Sequence, residues 1–443
     1  MNMAVTDSTT PSAFHVMTKP SGPLCNLDCA YCFYLEKEKL YPEQTDWRMP
    51  EDVLESNIRQ FIEGQQSRDL SFAWQGGEPT ILGVDYFRNI VALQRKYANG
   101  KRISNALQTN ATLLNDEWCE FLAENSFLVG VSIDGPEAIH DRYRVDRGHR
   151  PTFRKVMNGI EELQKHRVEF NTLTVLQRYN VKHPLEIYAF LKNTGSTYLQ
   201  FIPAVEREAN EAGEDGLDLV SPDSAQDAKV TPWSVRPGDL GEFLVTIFEK
   251  WVRNDVGRIF VQHFDAALAA YAGYPPGLCV FSETCGDALA LEHNGDLYAC
   301  DHFVYPQYRL GNILTDSISR MVSSPEQRKF GADKRDALPV YCQECEVRFA
   351  CNGDCPKHRF AATPDGEPGL SYLCPDYKRF FKHVAPHMEF MANELRHRRA
   401  PASIMPHIRR EELRTAGKTQ PGPNEPCLCG SGRKYKKCCG LAG

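Results

Sequence analysis

Sixteen cysteines occur in this chain, and three of them share one short stretch, Cys25-Asn26-Leu27-Asp28-Cys29-Ala30-Tyr31-Cys32-Phe33-Tyr34. The spacing C-x3-C-x2-C does not suit zinc, which takes four ligands, usually as two close pairs. Three thiolates this close suit a cubane iron–sulfur cluster with one iron left open. An open iron can hold a small chelating molecule. A partial zinc knuckle is the competing reading of these residues.

A second cysteine field runs Cys279-x5-Cys285-x14-Cys300, then Cys342-x2-Cys345-x5-Cys351-x3-Cys355-x18-Cys374. Eight thiolates can fully coordinate two cubane clusters. Two structural zinc sites are the alternative. Inside this field Asn294-Gly295 is a hairpin turn signal. It places Asp301, beside Cys300, on the strand leaving the turn. A carboxylate shielded there could be a general base, and His302 could tune it. The plainer reading is a surface aspartate in a turn.

Gly76-Gly77-Glu78-Pro79 follows the apolar run Leu70–Trp74. Two glycines let backbone approach a ligand closely. Strand-end carbonyls and a carboxylate can accept from an ammonium group. A plain Gly-Pro turn competes with that reading. Near the C-terminus, Cys427, Cys429, Cys438 and Cys439 form C-x-C-x8-C-C, which fits a closed tetrahedral zinc site. So short a segment cannot bury a core, so the metal would supply its folding energy. Cys119 stands apart in a predicted helix, Asn115–Glu124, and reads as an inert core residue.

Taken together, these residues resemble the radical S-adenosylmethionine enzymes, and among them the anaerobic sulfatase-maturating enzymes with their SPASM extension. The resemblance rests on C-x3-C-x2-C with Tyr31 before the last cysteine, on Gly76–Pro79, on Ser132–Pro136, on the eight later cysteines and on Tyr298-Ala299-Cys300-Asp301. It covers about residues 14–390. It implies a [4Fe-4S] cluster on Cys25, Cys29 and Cys32 whose open iron chelates S-adenosyl-L-methionine. Gly77 and Glu78 would meet the methionyl amine, Ser132 the ribose and carboxylate region, and Arg144 the carboxylate. Tyr31 and Val205 would flank the adenine. Two more [4Fe-4S] clusters are implied, one on Cys279, Cys285, Cys300 and Cys355, the other on Cys342, Cys345, Cys351 and Cys374.

The implied reaction oxidises a Cys or Ser side chain of a sulfatase to Cα-formylglycine. A 5′-deoxyadenosyl radical would take hydrogen from Cβ, Asp301 the side-chain proton, and an auxiliary cluster the electron. The implied partners are the sulfatase polypeptide and a low-potential electron donor such as flavodoxin or ferredoxin. The stretch from Pro426 to Cys439 resembles the SEC-C motif, with zinc as its metal. Two other readings stand beside this one. One is another SPASM peptide modifier, making a thioether or carbon–carbon crosslink. The other is a non-catalytic iron–sulfur electron-transfer protein, which would not need Gly76–Pro79.

These residues need a scaffold that gathers distant loops. Strands are predicted at Phe14–Met17, Leu70–Trp74, Ile103–Gln108, Phe127–Ile133, Phe170–Leu176 and Tyr198–Pro203, with amphipathic stretches between. One helix opens at Pro50 and carries Leu54, Ile58, Phe61 and Ile62 on one face. Six βα-type repeats predict an α/β fold with a parallel sheet and right-handed crossovers. Its functional residues sit at the C-terminal strand ends. A doubly wound open sheet is the alternative. The resemblance favours a partial (β/α)6 barrel, then a small cysteine-rich two-cluster domain and a short C-terminal zinc motif.

The expected units are a barrel at 13–235, connecting helices at 236–275, the two-cluster domain at 276–390, a linker at 391–422 and the zinc motif at 423–443. Residues 206–235, rich in Glu, Asp, Gly, Pro and Ser, read as a long surface loop. Leu240, Leu244, Ile247, Phe248 and Trp251 mark an amphipathic helix.

Composition agrees with a globular enzyme. Of 443 residues, 42% are hydrophobic and 25% charged. A net charge of −7 argues against a general nucleic-acid binder, which needs a basic face. No stretch of about 20 apolar residues predicts a membrane span. The N-terminus lacks a basic start followed by an apolar run, so no signal peptide is expected. The expected compartment is the cytoplasm, where disulfides rarely persist and cysteines in number mean metal or cluster ligands.

Overall fold

The computed structural model describes residues 13–210, 216–224, 228–418, 420–425, 427–428 and 433–441. Six strands open the fold: β1 (His15–Thr18), β2 (Asp69–Trp74), β3 (Arg102–Thr109), β4 (Leu128–Ser132), β5 (Phe170–Leu176) and β6 (Tyr198–Pro203). Between them run α1 (Glu51–Gly64), α2 (Val84–Tyr97), α3 (Asp116–Glu124), α4 (Glu137–His140), α5 (Phe153–Lys165) and α6 (Pro184–Asn193). Each strand pairs in parallel with the next, in chain order. A doubly wound sheet would reverse its order at a switch point. This sheet does not reverse, which is the order of a barrel, and it does not close into one.

The two faces of the sheet differ, as the period of two requires. On β2, Leu70, Phe72 and Trp74 are buried against the helices. Phe72 meets Phe61 of α1 with ring centroids 4.7 Å apart, and Trp74 meets Phe87 of α2 at 6.3 Å. The strand register puts small and polar residues on the other face: Ala73, Ala106, Gln108, Gly130, Ser132 and Asn171. A Cβ on Gly130 would lie 2.1 Å from Gln108 Oε1, so a larger residue there would displace the Gln108 side chain.

Eight more strands lie outside these repeats, two of which, Ala361–Ala362 and Pro368–Leu370, form a separate antiparallel pair. The predicted loop at 206–235 contains a short antiparallel ribbon, β7 (Arg207–Ala209) with β8 (Ala228–Val230). Its connection is tied down: Glu36 accepts from the amide of Asp218 at 3.0 Å, and Tyr305 Oη donates to the carbonyl of Val220 at 3.2 Å. The remaining four, β9 (Phe260–Val261), β10 (Ala288–Leu291), β11 (Asp296–Tyr298) and β12 (Arg309–Asn312), extend the main sheet. The full order is β12-β11-β10-β1-β2-β3-β4-β5-β6-β9.

Three of these strands, β10, β11 and β12, belong to the cysteine-rich region and join it to the main sheet. β10 runs parallel to β1, from His15 opposite Ala288 to Thr18 opposite Leu291. Leu289, Leu291 and Leu297 join the main hydrophobic core. Four residues are too few for a periodic pattern in sequence; the free edge of β1 decides their conformation. Asn294 and Gly295 form the turn between β10 and β11 as expected, with Gly295 at φ +90°. Asp301 departs from expectation. It opens a short 3-10 turn, Asp301–Phe303, beyond the strand.

The later helices close the fold. α7 (Asp239–Asn254) and α8 (Gln262–Ala272) pack against the long helix Cys374–Arg396. Phe248 meets Phe264 at 5.3 Å and Phe380 at 6.5 Å, and Phe264 stacks on Phe380 at 5.8 Å. That long helix runs through the boundary expected at 390/391. The stretch expected as a linker carries a docked helix, Ile404–Thr415, which buries Ile404, Met405 and Ile408. Glu412 on it pairs with Arg253 of α7 at 3.0 Å. No helix among the described residues is long and apolar enough to cross a membrane.

Candidate functional site

The loop after β1 is fastened to the end of β2 by backbone. Gly77 donates its amide to the carbonyl of Gly22 at 2.8 Å, and Glu78 to that of Leu24 at 2.8 Å. A Cβ on Gly77 would lie 2.1 Å from the Leu24 oxygen, and Gly76 sits at φ +132°. The two glycines therefore serve the close approach of the cysteine loop itself. Cys25, Cys29 and Cys32 converge in this loop. Burial, then Glu78, pushes the Cys25 thiol up to about 12. Burial also raises Cys29 and Cys32, and Cys29 feels the other two sulfurs. Cys25 Sγ accepts from the amide of Leu27 at 3.4 Å. Half-buried thiols whose ionised form is disfavoured in this way become thiolates beside a positive metal. The donor set fits a cubane cluster with one iron free of protein.

Glu78 is completely buried. Its Oε1 accepts from Thr80 N at 3.0 Å, Thr80 Oγ1 at 2.6 Å and Thr109 Oγ1 at 2.7 Å; its Oε2 accepts from Asn110 N at 2.6 Å. Burial raises its pKa, and these donors oppose that rise only in part. Both oxygens are spent on tying β2 to β3. Glu78, expected to meet an ammonium group, thus also carries four hydrogen bonds within the chain, beside the backbone of Gly76 and Gly77.

A second buried carboxylate, Asp134, gathers two expected contacts. Tyr31 Oη donates to its Oδ2, and Arg144 Nε lies 3.1 Å from its Oδ1. Arg144 and Tyr31 were expected to face a ligand's carboxylate and adenine; here each is held by this aspartate. Asp134 went unnoticed in sequence reading, although an acid after a strand and before Gly135 was a usable signal. Ser132 lies at the end of β4, accepting from Gln108 Nε2 at 2.9 Å. Val205 is buried within the main core.

At the other side of β1, Asp301 forms an ion pair with Lys19, itself 1% exposed. Lys19 Nζ also lies 3.9 Å from Glu292 Oε1 and 3.6 Å from the centroid of Tyr34. Tyr34 Oη donates to Glu292 Oε2 at 2.6 Å. Burial pushes the Asp301 carboxyl up, but Lys19, His302 and Lys357 outweigh it and hold it below the usual range. His302 packs on Phe33, with ring centroids 5.7 Å apart, and burial, then Lys357, lowers it to about 3. Lys19, Tyr34 and Glu292 were not predicted as a group. They come from three separate segments, and no spacing connects them.

The eight later cysteines fall into two groups. Burial raises Cys279, Cys285, Cys300 and Cys355, and Cys279 adds to the rise at the other three, with Cys285 at about 11 and Cys355 at about 12. Cys342, Cys345, Cys351 and Cys374 line a single cavity with Gly353 and Ser371. Burial and then neighbouring charge put Cys351 at about 12 and Cys374 at about 11. In the tail, the sulfurs of Cys427, Cys438 and Cys439 lie within 4.8 Å of one another, while Cys429 lies outside the described residues. Cys119 is fully buried in the core.

Family models agree with this layout. Residues 20–191 match the radical SAM superfamily, 279–346 the SPASM iron–sulfur cluster-binding domain, and 424–441 the SEC-C motif. A serine-type anaerobic sulfatase-maturating enzyme of Bacteroides thetaiotaomicron is 46% identical over 400 residues, 90% of this chain and 96% of that one. A cysteine-type enzyme of Clostridium novyi is 31% identical over 86% of this chain and 98% of its own. The solved structure of native anSMEcpe with bound AdoMet and Cp18Cys peptide superposes with a TM-score of 0.74 at 31% identity, covering 86% of this chain and 99% of that one. By that identity and that coverage, the chain belongs to the anaerobic sulfatase-maturating enzymes.

Proposed function

We propose that this protein oxidises a serine side chain in a sulfatase to Cα-formylglycine. The observation that carries the reading is Asp301, a carboxylate set directly after Cys300 and tied through Lys19 and Tyr34 to the loop of Cys25, Cys29 and Cys32. Serine is favoured as the target because identity to serine-type relatives is 46% and 38%, against 31% to a cysteine-type one.

Cys25, Cys29 and Cys32 would hold the cluster that binds S-adenosylmethionine. Cys279, Cys285, Cys300 and Cys355 would hold one auxiliary cluster, and Cys342, Cys345, Cys351 and Cys374 the other. When bound, these groups supply a one-electron hydrogen acceptor at one end of the site and an electron sink at the other. The chain's own residues do the rest. The backbone at Gly76 and Gly77 accepts from the methionyl amine. Ser132 meets the ribose, and Val205 closes the adenine side. Asp301 takes the hydroxyl proton as the Cβ–H bond breaks, so that C=O forms with one hydrogen, one proton and one electron leaving the substrate.

Cys427, Cys429, Cys438 and Cys439 would hold zinc, and a flavodoxin or ferredoxin would supply electrons. The test is anaerobic reconstitution followed by mass spectrometry of matched serine and cysteine sulfatase peptides. The expected result is loss of two hydrogens from the serine peptide. Cleavage of S-adenosylmethionine with both peptides unchanged overturns the reading.

A further inference from the structure

A lysine buried to 1% exposure is costly unless its charge is met. Lys19 sits where β1 ends, its amide donating to the carbonyl of Leu291 at 2.9 Å. Its ammonium is shared among three elements. Asp301 Oδ1 is its ion-pair partner, Glu292 Oε1 lies 3.9 Å away, and the ring of Tyr34 lies beneath it at 3.6 Å. Glu292 is fully buried and follows β10; Tyr34 follows the cysteine loop. One cation thus ties the first cysteine loop, the first strand and the turn after Cys300.

The two oxygens of Asp301 are not equivalent. Oδ1 is shut off from solvent against Lys19, while the side chain as a whole keeps 17% of its surface. What remains open is therefore off Oδ1. A base on a short 3-10 turn would otherwise be free to rotate about its side-chain bonds, and a turn places a group less firmly than a strand does.

We propose that Lys19 is a positioning residue for the oxidation step: by holding Oδ1 of Asp301 it presents the other oxygen to the substrate hydroxyl. The proposal rests on the sulfatase-maturase reading. Lys19 acts on Cys32 only as a nearby charge, and its direct partners are Asp301, Glu292 and Tyr34, so its loss is expected to act after hydrogen abstraction.

The test is the ratio of formylglycine to 5′-deoxyadenosine in reconstituted Lys19→Met, with Cβ-deuterated serine peptide. Misfolded chains make neither product, so the ratio reports only folded enzyme. Deuterium is expected in 5′-deoxyadenosine as in the parent enzyme, with the ratio at least about tenfold lower, part of the roughly 10²–10⁴-fold that a positioned base contributes. Peptide affinity, read by fluorescence anisotropy, should be unchanged. Lys19→Arg should restore the ratio, and Lys19→Met should add nothing to Asp301→Asn. An unchanged ratio in Lys19→Met overturns the proposal. So does loss of 5′-deoxyadenosine together with product, which would make Lys19 a residue of the fold alone. Failure of the parent enzyme to alter the peptide is a different result, and it removes the function rather than the role of Lys19.

Discussion

Glu78 and Asp301 are both carboxylates beside a strand end, yet they are held in opposite ways. Glu78 is saturated by four neutral donors from the chain around it. Asp301 has one charged partner, Lys19, and part of its side chain open. A carboxylate that accepts four hydrogen bonds from the chain is held in place by them, and removing it costs structure. A carboxylate held at one oxygen keeps capacity for chemistry. The barrel side of this site is thus a rigid bracket, and the hairpin side carries the reactive group.

That contrast can be broken first at Asp301. Asp301→Asn should lower formylglycine formation about 10²–10⁴-fold while 5′-deoxyadenosine still forms, measured by chromatography of both products. On the bracket side, Gly77→Ala drives a Cβ to 2.1 Å from the Leu24 oxygen. It should shift the cysteine loop at a cost of about 1–3 kcal/mol, seen as lower iron content after reconstitution and proportional loss of both products. Glu78→Gln should also cost about 1–3 kcal/mol in thermal unfolding, with the ratio of products unchanged. A changed ratio in Glu78→Gln would end the distinction drawn between the two carboxylates.

Smaller effects come from groups outside the pair. His263 is buried between Phe281 and Tyr377, neither ring nitrogen has a hydrogen bond, and burial lowers it to about 4. Its folded value lies below its unfolded value of 6.5. As pH falls below 6.5 the unfolded chain binds a proton that the folded chain refuses until about 4, so stability declines across that window. The total is at most about 3 kcal/mol. His263→Phe should flatten that part of the melting-temperature profile. Least of all, Cys438→Ser should remove bound zinc, measured by elemental analysis, and leave iron content and the product ratio within about twofold of the parent enzyme.

Much of the fold was legible because the βα repeats are long and strongly periodic. β5 and β6 fall at Phe170–Leu176 and Tyr198–Pro203, as their apolar runs predict. The cysteine spacings were equally plain, since ligand geometry fixes how close two thiols must lie. β10 was not legible, because four residues beside a free strand edge carry no period of their own. Nor were the partners of the predicted site residues. Arg144 and Tyr31 meet Asp134, and Glu78 meets Thr80, Thr109 and Asn110, through contacts that depend on which strands are adjacent.

The chain order alone determined the kinds of groups present: three thiols close together, eight more that can divide into two sets, two glycines and one acid beside a cysteine. These follow from local spacing, which bond lengths and ligand geometry constrain directly. Only the tertiary structure decided which of those groups are spent and which are left to react. Pairing β10 with β1 sets Asp301 against Lys19, and pairing β2 with β3 closes donors around Glu78. Each is an encounter between segments far apart in sequence, set by sheet register and burial.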